Sequence, residues 1–342
     1  MTIDGKRVIV EQRLTVLAAA QQVGITIPVL CHREGLCPVG GCGICVVEDV
    51  VGQRLLPACA TLAEPDMQIV TNSQAVCQAR RESLELLLSN HPADCEALCE
   101  RACPAGVPIM QLMALVADGN WDCAIQLARQ YPVACGGKAP CEKACRRQRL
   151  GGAIAIGALH GQLVALGGGA DGGVKQGLSE RPHFWSRMQG LSAEDYLALC
   201  HEKGERRLLP GSTAITREEA IYEASRCMQC GCRKPTNCRL RELCADNKAQ
   251  QAVFAGGCSA IGRQRGRNGF RFDASRCVLC GICVKVAEQS GAQIGPAFHG
   301  RGFNAYIGPP LGRRWDDIAD ELLTECVAAC PTGAMTKDTY GS

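Results

Sequence analysis

Cysteine makes up 25 of the 342 residues, about seven per cent, and most of these cysteines fall into groups with metal-ligand spacing. The most telling group is Cys277-Val-Leu-Cys280-Gly-Ile-Cys283, answered far downstream by Cys326-Val-Ala-Ala-Cys330-Pro331. Three cysteines at two-residue gaps, closed by a remote Cys-Pro, have the spacing of thiolates that hold a [4Fe-4S] cluster. A second group, Cys31-x10-Cys42-x2-Cys45-x13-Cys59, offers four thiolates, two per iron, for a [2Fe-2S] cluster. Structural zinc usually takes two tight cysteine pairs and fits that group less well. Gly40, Gly41 and Gly43 remove side chains from the loop, so backbone amides can approach the cluster sulfurs and tune them. A third group, Cys227-x2-Cys230-x-Cys232-x5-Cys238, has four cysteines within twelve residues, enough to enclose one cubane or one structural zinc.

Composition sets the compartment. A disulfide scaffold would explain the cysteine content only in a short secreted chain with a signal peptide. Residues Met1 to Val10 show neither an apolar core region nor a small-residue cleavage site. The most apolar stretch, Gly151 to Gly169, contains seven glycines and is interrupted by His160 and Gln162, which is too weak for a transmembrane helix. The expectation is a cytoplasmic protein with no transmembrane segment, in a compartment where thiolates bind metal rather than pair. A net charge of +3 and an aromatic content of 4% argue against a nucleic-acid surface. Arg263-Gln-Arg265-Gly-Arg267 reads as a solvated basic loop.

Local patterns supply the elements that must position these thiols. Lys6 to Val10 reads as a strand, and Thr15 caps a helix over Val16 to Val23 that Gly24 stops. Cys45 to Val50 and Arg54 to Cys59 form a hairpin about a turn at Gly52, with a last strand at Met67 to Val70. Ala75 to Ser89 carries apolar residues at helical spacing and ends before His91-Pro92. Helices over Ile109 to Ala117 and Trp121 to Gln130 flank the Gly119-Asn120 break, and Ala193 to Glu202 is another helix. Thr216-Arg-Glu-Glu219 is a capping box that opens a helix through Ser225. Gly167-Gly-Gly169-Ala-Asp-Gly172 matches a G-x-G-x-x-G string but lacks the strand before it, the helix after it and the distal acid, so it is a glycine linker. No flavin or NAD site is expected in this chain.

Four resemblances add to this reading. Ile27-Pro28-Val-Leu-Cys31-His-Arg-Glu-Gly-Leu-Cys37-Pro-Val-Gly40 and Leu56-Pro-Ala-Cys59-Ala-Thr61 resemble the N-terminal domain of the large iron–sulfur subunit of complex I, a module that also opens formate dehydrogenase and hydrogenase chains. The resemblance implies that Cys31, Cys42, Cys45 and Cys59 are ligands. Ser89-Asn-His91-Pro-Ala-Asp-Cys95 continues it, but the family's next cysteines do not follow at their usual gaps. Cys103-Pro-Ala-Gly-Val-Pro-Ile109 and Cys135-x5-Cys141-Glu-Lys-Ala-Cys145-Arg instead resemble the two-cluster helical domain of the glutamate synthase small subunit. That resemblance implies one [4Fe-4S] cluster on Cys103, Cys135 and Cys141 and another on Cys95, Cys99 and Cys145. His91 and His160 are the candidate fourth ligands. A cluster on His91, Cys95, Cys99 and Cys103 is the alternative partition. Glu223-Ala-Ser-Arg-Cys227 and Cys238-Arg-Leu-Arg resemble segments beside such modules, which favours iron over zinc for Cys227, Cys230, Cys232 and Cys238. Arg276-Cys277 through Val286 and Arg301-Gly-Phe303 resemble a two-cluster ferredoxin segment, here lacking a cysteine at Ala287 and most of the second ligand set. Cys277, Cys280, Cys283 and Cys330 then hold one cubane, and Cys326 is an unligated remnant.

The expected fold class is an α+β multidomain chain: an N-terminal β-grasp [2Fe-2S] ferredoxin domain over 1–74, an α-helical two-cluster domain over 75–165, a linker over 166–215 and a C-terminal ferredoxin-like domain over 216–342. Eighteen cysteines are used as ligands, leaving Cys37, Cys77, Cys123, Cys200, Cys244, Cys258 and Cys326 as buried structural thiols. The function expected is that of a non-catalytic electron-transfer subunit carrying one [2Fe-2S] and up to four [4Fe-4S] clusters. Its expected partners are a flavin/NAD(P)H subunit, a ferredoxin, or a formate dehydrogenase, hydrogenase or pterin-dependent catalytic subunit. The alternatives are a self-contained enzyme using a cluster with an open iron, and a zinc-rich interaction scaffold. The Cys277 to Cys330 cubane is expected at one end of the wire and the [2Fe-2S] domain at the other.

Overall fold

The computed structural model describes residues 1–10, 14–92, 94–133, 135–171, 204–208, 214–234, 237–251, 253–254 and 263–337. The chain starts with a tight hairpin rather than the single strand expected over Lys6 to Val10. Strands β1 (Thr2–Ile3) and β2 (Lys6–Arg7) pair antiparallel about Asp4 and Gly5, both in the left-handed region that an Asp-Gly turn favours. The Asp4 carboxylate accepts from the Thr71 amide at 2.8 Å and its hydroxyl at 2.6 Å, tying the turn to the far side of the sheet. Strands β3 (Val46–Asp49), β4 (Arg54–Pro57) and β5 (Gln68–Val70) complete a five-stranded sheet in the order β2-β1-β5-β3-β4, in which β1 and β5 run parallel. Helix α1 (Val16–Gln22), capped by the Thr15 hydroxyl on the Ala18 amide, buries Val16, Leu17, Ala19 and Ala20 with Ile3, Val47 and Ile69.

Helix α2 (Gln74–Ser89), capped by Ser73, leads away from this sheet and tethers it. Its Arg80 guanidinium donates to the Val46 carbonyl at 2.8 Å. The helical part follows as α3 (Leu98–Ala102), α4 (Ile109–Ala117), α5 (Trp121–Arg129), α6 (Pro140–Lys143) and α7 (Ile156–Leu166). Helix α4 buries seven of its nine residues, so it forms the centre of this core rather than a surface stripe. Leu208, Ile215, Ala220 and Ala224 join the same core, the last two from helix α8 (Arg217–Ser225). The packing unit therefore runs past the boundary expected at 215, because α8 covers α4. The expected helix at Ala193 to Glu202 and most of the linker expected over 166–215 lie outside the described residues.

Helix α9 (Arg239–Asp246) returns to α2, and Leu240, Leu243, Leu84, Leu88, Leu30 and Ile44 close a small core between them. The last unit has strands β6 (Arg263–Arg265) and β7 (Phe270–Asp273) with the final strand β10 (Met335–Lys337), in the order β10-β7-β6. Helices α10 (Ile282–Ser290) and α11 (Asp320–Ala329) pack on it. A two-stranded ribbon, β8 (Ala297–His299) with β9 (Tyr306–Gly308), lies between them in sequence. Phe270 and Phe272 pack against Trp315 in its core as tilted ring pairs, with centroids 5.1 and 4.9 Å apart. Among the described residues no helix is long and apolar enough to cross a membrane.

The capping box reads out as its sequence demands. Thr216 Oγ1 accepts from the Glu219 amide at 3.2 Å, and the Glu219 carboxylate accepts from the Thr216 amide at 2.9 Å. Thr216→Ala should cost about 1 kcal/mol, seen as faster amide hydrogen exchange in the first turn of α8 with the later turns unchanged.

Candidate metal centres

Residues Cys31, Cys42, Cys45 and Cys59 come together on the loops beside the N-terminal sheet. Cys45 leads into β3 and Cys59 follows β4, and the Ala58 amide bonds the Cys45 carbonyl at 3.1 Å. The four thiols meet as two pairs, Cys31 with Cys42 and Cys45 with Cys59. Hydrogen bonds from the Cys42 thiol and from the amides of Cys42, Gly41 and Gly40 hold Cys31 down at about 6. The Cys59 thiol does the same for Cys45, at about 7, and Cys42 and Cys59 are pushed upward in return. Gly43 is in the left-handed region, and a Cβ there would fall 2.5 Å from Ser83 Oγ, so α2 presses directly on the ligand loop.

Three further sets of thiols ring cavities. Cys277, Cys280, Cys283 and Cys330 surround one under Phe272, Ile307 and Met335, with about 320 Å³ of empty volume. Burial pushes Cys277 and Cys280 up to about 12, and Cys283 higher still. Cys326 is buried in the adjacent core, where its thiol lies 3.7 Å from the Cys283 carbonyl. A second cavity of about 400 Å³ is lined by Cys103, Cys135, Cys141 and His160, with Pro104, Pro132 and Pro140 in its walls. His160 Nε2 lies 3.3 Å from the Ala128 carbonyl. Burial lowers this imidazole, with the Ala128 and Tyr131 carbonyls opposing the shift.

The third cavity, about 410 Å³, groups the thiols differently from the partition expected from sequence. Cys99, Cys145, Cys227 and Cys230 line it together. The contiguous group Cys227 to Cys238 is therefore divided, and Cys145 and Cys99 meet Cys227 and Cys230 from a segment over eighty residues away. Gly231 is the wedge. Its amide donates to Met110 Sδ at 3.0 Å, and a Cβ there would stand 2.7 Å from the Ala97 nitrogen. Beyond it, the Cys232 amide bonds the Cys95 carbonyl at 3.3 Å, and a Cβ on Gly333 would fall 2.2 Å from Cys232 Sγ. Cys95 thus sits with Cys232 rather than lining the Cys99 cavity; Cys232 acts on Cys238, and Cys238 and Cys95 both act on Cys244.

Two features show that these donor sets suit iron–sulfur clusters. Burial and mutual repulsion raise most of the cavity thiols, so a cation core is needed before they can ionise. In addition, Cys42, Cys232, Cys238, Cys277 and Cys280 each accept a hydrogen bond from the amide two residues on. Such amides stabilise charge on sulfur and tune a cluster's potential. Among the described residues no three His, Cys, Asp or Glu side chains close around a single ion. The thiols surround cavities rather than points.

Sequence reading missed the residues that lock these loops. Glu223-Ala-Ser-Arg226-Cys227-x-x-Cys230-Gly and Asp273-Ala-Ser-Arg276-Cys277-x-x-Cys280-Gly are one motif used twice, and that repeat is the signal that could have found them. In both copies the acid pairs with the arginine three residues on, at 2.6 and 3.3 Å. In both, the residue before the second cysteine, Gln229 or Leu279, is left-handed. Arg226 donates to the carbonyls of Gly151 and Gly152 at 2.7 Å and of Gly204 at 3.1 Å. Arg276 donates to the carbonyls of Asp94 at 3.1 Å, Cys230 at 3.2 Å and Gly231 at 2.9 Å. His91 is buried beside it, and burial together with the Arg276 charge pushes the imidazole down to about 3.

The two expected ends of the wire adjoin. The Cys31 charge reaches Cys280, Gln289 Nε2 donates to the Gly35 carbonyl at 3.1 Å, and Leu36 packs on the C-terminal core. The loop that carries the N-terminal ligands is docked on the one that carries Cys277 to Cys283.

Residues 1–74 match the family described as 2Fe-2S iron-sulfur cluster binding domain. Over 101 residues the chain is 38% identical to the mitochondrial NADH-ubiquinone oxidoreductase 78 kDa subunit of Neurospora crassa, covering 30% of this chain and 13% of that one. It is 40% identical over 95 residues to NADPH-Fe(3+) oxidoreductase subunit alpha of Geobacter sulfurreducens, 28% of this chain and 11% of the relative. It is 45% identical over 100 residues to NADP-reducing hydrogenase subunit HndD of Solidesulfovibrio fructosivorans, 28% and 17%. The chain thus matches less than a fifth of the length of these relatives. In fold it resembles a chain in the crystal structure of NAD+-reducing [NiFe]-hydrogenase in the H2-reduced state, with a TM-score of 0.54 and 17% identity, over 99% of this chain and 87% of that one.

Glu223→Ala would leave the Arg226 charge buried without its acid. Loss of roughly 3–5 kcal/mol is expected, read as a lower denaturation midpoint of the anaerobic holoprotein, whereas Glu242→Ala on the exposed face of α9 should move it little.

Proposed function

We propose that the chain is an electron-transfer subunit of a multi-subunit oxidoreductase. The observation that carries this reading is the set of thiol groups on neighbouring stretches of one backbone. Cys31, Cys42, Cys45 and Cys59 would hold a [2Fe-2S] cluster in a β-grasp domain. Cys277, Cys280, Cys283 and Cys330 would hold a [4Fe-4S] cluster, as would Cys99, Cys145, Cys227 and Cys230. Cys103, Cys135 and Cys141 with His160 make a further such set. When bound, these groups supply one-electron oxidation and reduction.

The protein's own contribution is placement and insulation. Cys99 with Cys103, and Cys141 with Cys145, are four residues apart, which on helical backbone is about 6 Å between Cα atoms. Two donor sets therefore share both pairs of segments. Cys230 and Cys232 are two residues apart, a span of at most about 7 Å. Lys234 donates to the carbonyls of Val327 at 2.7 Å and Cys330 at 3.0 Å, joining this loop to the C-terminal set. Ile109, Met113, Ile154 and Ile156 give the Cys99 set apolar walls. His160, with one ring nitrogen at the Ala128 carbonyl, has the hydrogen bond that orients a ligating imidazole, which would leave no open iron for a self-contained enzyme.

The relatives' names point to a nicotinamide-linked partner, such as a flavin/NAD(P)H subunit, with a hydrogenase or other catalytic metal subunit at the other side. The reduced thiols that this reading requires fit the cytoplasm. Anaerobic purification from the native source tests it. Iron and acid-labile sulfide are expected, with visible absorbance that dithionite bleaches and air restores, and a redox subunit should co-purify. Zinc in place of iron would remove the proposal.

A further inference from the structure

One group of donors belongs to none of the four sets above. Cys95 lies before α3, and Cys232 and Cys238 lie before α9, more than 130 residues later in the chain. The fold nevertheless brings them together. The Cys232 amide bonds the Cys95 carbonyl at 3.3 Å, Cys232 acts on Cys238, and Cys95 and Cys238 act together on Cys244. One guanidinium, Arg276, holds the Asp94 carbonyl at 3.1 Å and the Gly231 carbonyl at 2.9 Å, the residues immediately before Cys95 and Cys232. Gln251, after α9, donates to the His91 carbonyl at 2.9 Å, so the far end of the second segment also grips the first.

We infer that Cys95, Cys232, Cys238 and His91 form a fifth, composite site for a [4Fe-4S] cluster, closed by two segments on either side of the helical unit. The inference rests on the electron-transfer reading and adds to it the site at the base of that unit. Cys232 and Cys238 share a feature with Cys42, Cys277 and Cys280, an amide two residues on that donates to the sulfur, from Lys234 at 3.4 Å and, alongside Arg241, from Leu240. Cys244 does not share it. It lies within α9 among Leu84, Leu88, Leu240 and Leu243, a thiol of the hydrocarbon core behind the site. His91 is buried on the same short segment as Cys95 and beside Arg276, which leaves it as the fourth donor. The site makes residues 96–231 a unit whose two ends are fastened by one cluster.

Electron paramagnetic resonance of the anaerobic, dithionite-reduced holoprotein tests this through separate signals. Cys95→Ser and Cys238→Ser should alter the same cluster signal, and Cys99→Ser and Cys227→Ser should alter a different one. In protein with nitrogen-15 histidine and a His160→Gln background, the first signal should show histidine nitrogen coupling. His91→Cys should abolish that coupling while keeping the cluster and its iron, and Cys244→Ser should leave both intact. The inference is overturned if Cys227→Ser and Cys238→Ser alter one common signal, or if the nitrogen coupling survives His91→Cys. Absence of any iron signal in the unaltered protein would instead sink the electron-transfer reading itself.

Discussion

A buried positive charge holds the ligand-bearing segments in place. Arg276 is almost entirely out of water, and a guanidinium in that position is tolerable only if its donors are met and its charge is paired. Asp273 supplies the charge, and three carbonyls from two distant segments supply the acceptors. Its own carbonyl accepts from the Thr332 hydroxyl at 2.8 Å, two residues from Cys330. The carbonyl partners are a candidate ligand, Cys230, or immediate neighbours of one, Asp94 and Gly231, while Asp273 and Thr332 lie within four residues of one. Satisfying one side chain therefore fixes the relative positions of three loops that have no regular structure of their own. Arg226 solves the same problem one unit earlier, with Glu223 as its acid and the Gly151, Gly152 and Gly204 carbonyls as its acceptors.

This explains how a cysteine-rich chain can be ordered around cavities with few long strands. The loops that carry thiols cannot form ladders, so their carbonyls need donors from elsewhere. Buried arginines meet that need and add positive charge where thiolates would gather. Burial, joined by the same positive charge, keeps the His91 ring neutral, the state in which imidazole has a lone pair to give.

Much of the local structure could be read from residue order. Thr15, Ser73 and Thr216 each cap the helix that their position announces, and the Cys31, Cys42, Cys45 and Cys59 set converges as its spacing implies. The Cys277 motif likewise finds Cys330 across almost fifty residues. What could not be read was how neighbours along the chain would be shared out. Cys230 and Cys232 look like one ligand group because a single glycine separates them, yet Gly231 is wedged against Met110 and Ala97 and sends its flanking thiols to different neighbours. That outcome depends on where α4 lies, which no spacing of cysteines encodes. The position of the N-terminal loop beside Cys280 was hidden for the same reason, since it rests on contacts from Leu36 and Gln289 with no local signature.

The pairing of Cys99 and Cys145 with Cys227 and Cys230 has a consequence for biosynthesis. The N-terminal set lies within one short stretch, Cys31 to Cys59, so its thiols can gather while translation of the later segments continues. The cavity that joins α3 to the Cys227 loop has no such independence, because its last two thiols arrive only with residues 227 and 230. Cys99 and Cys145 are therefore made more than eighty residues before the two thiols that line the cavity with them. Cells that make this protein face a timing problem as well as a folding problem.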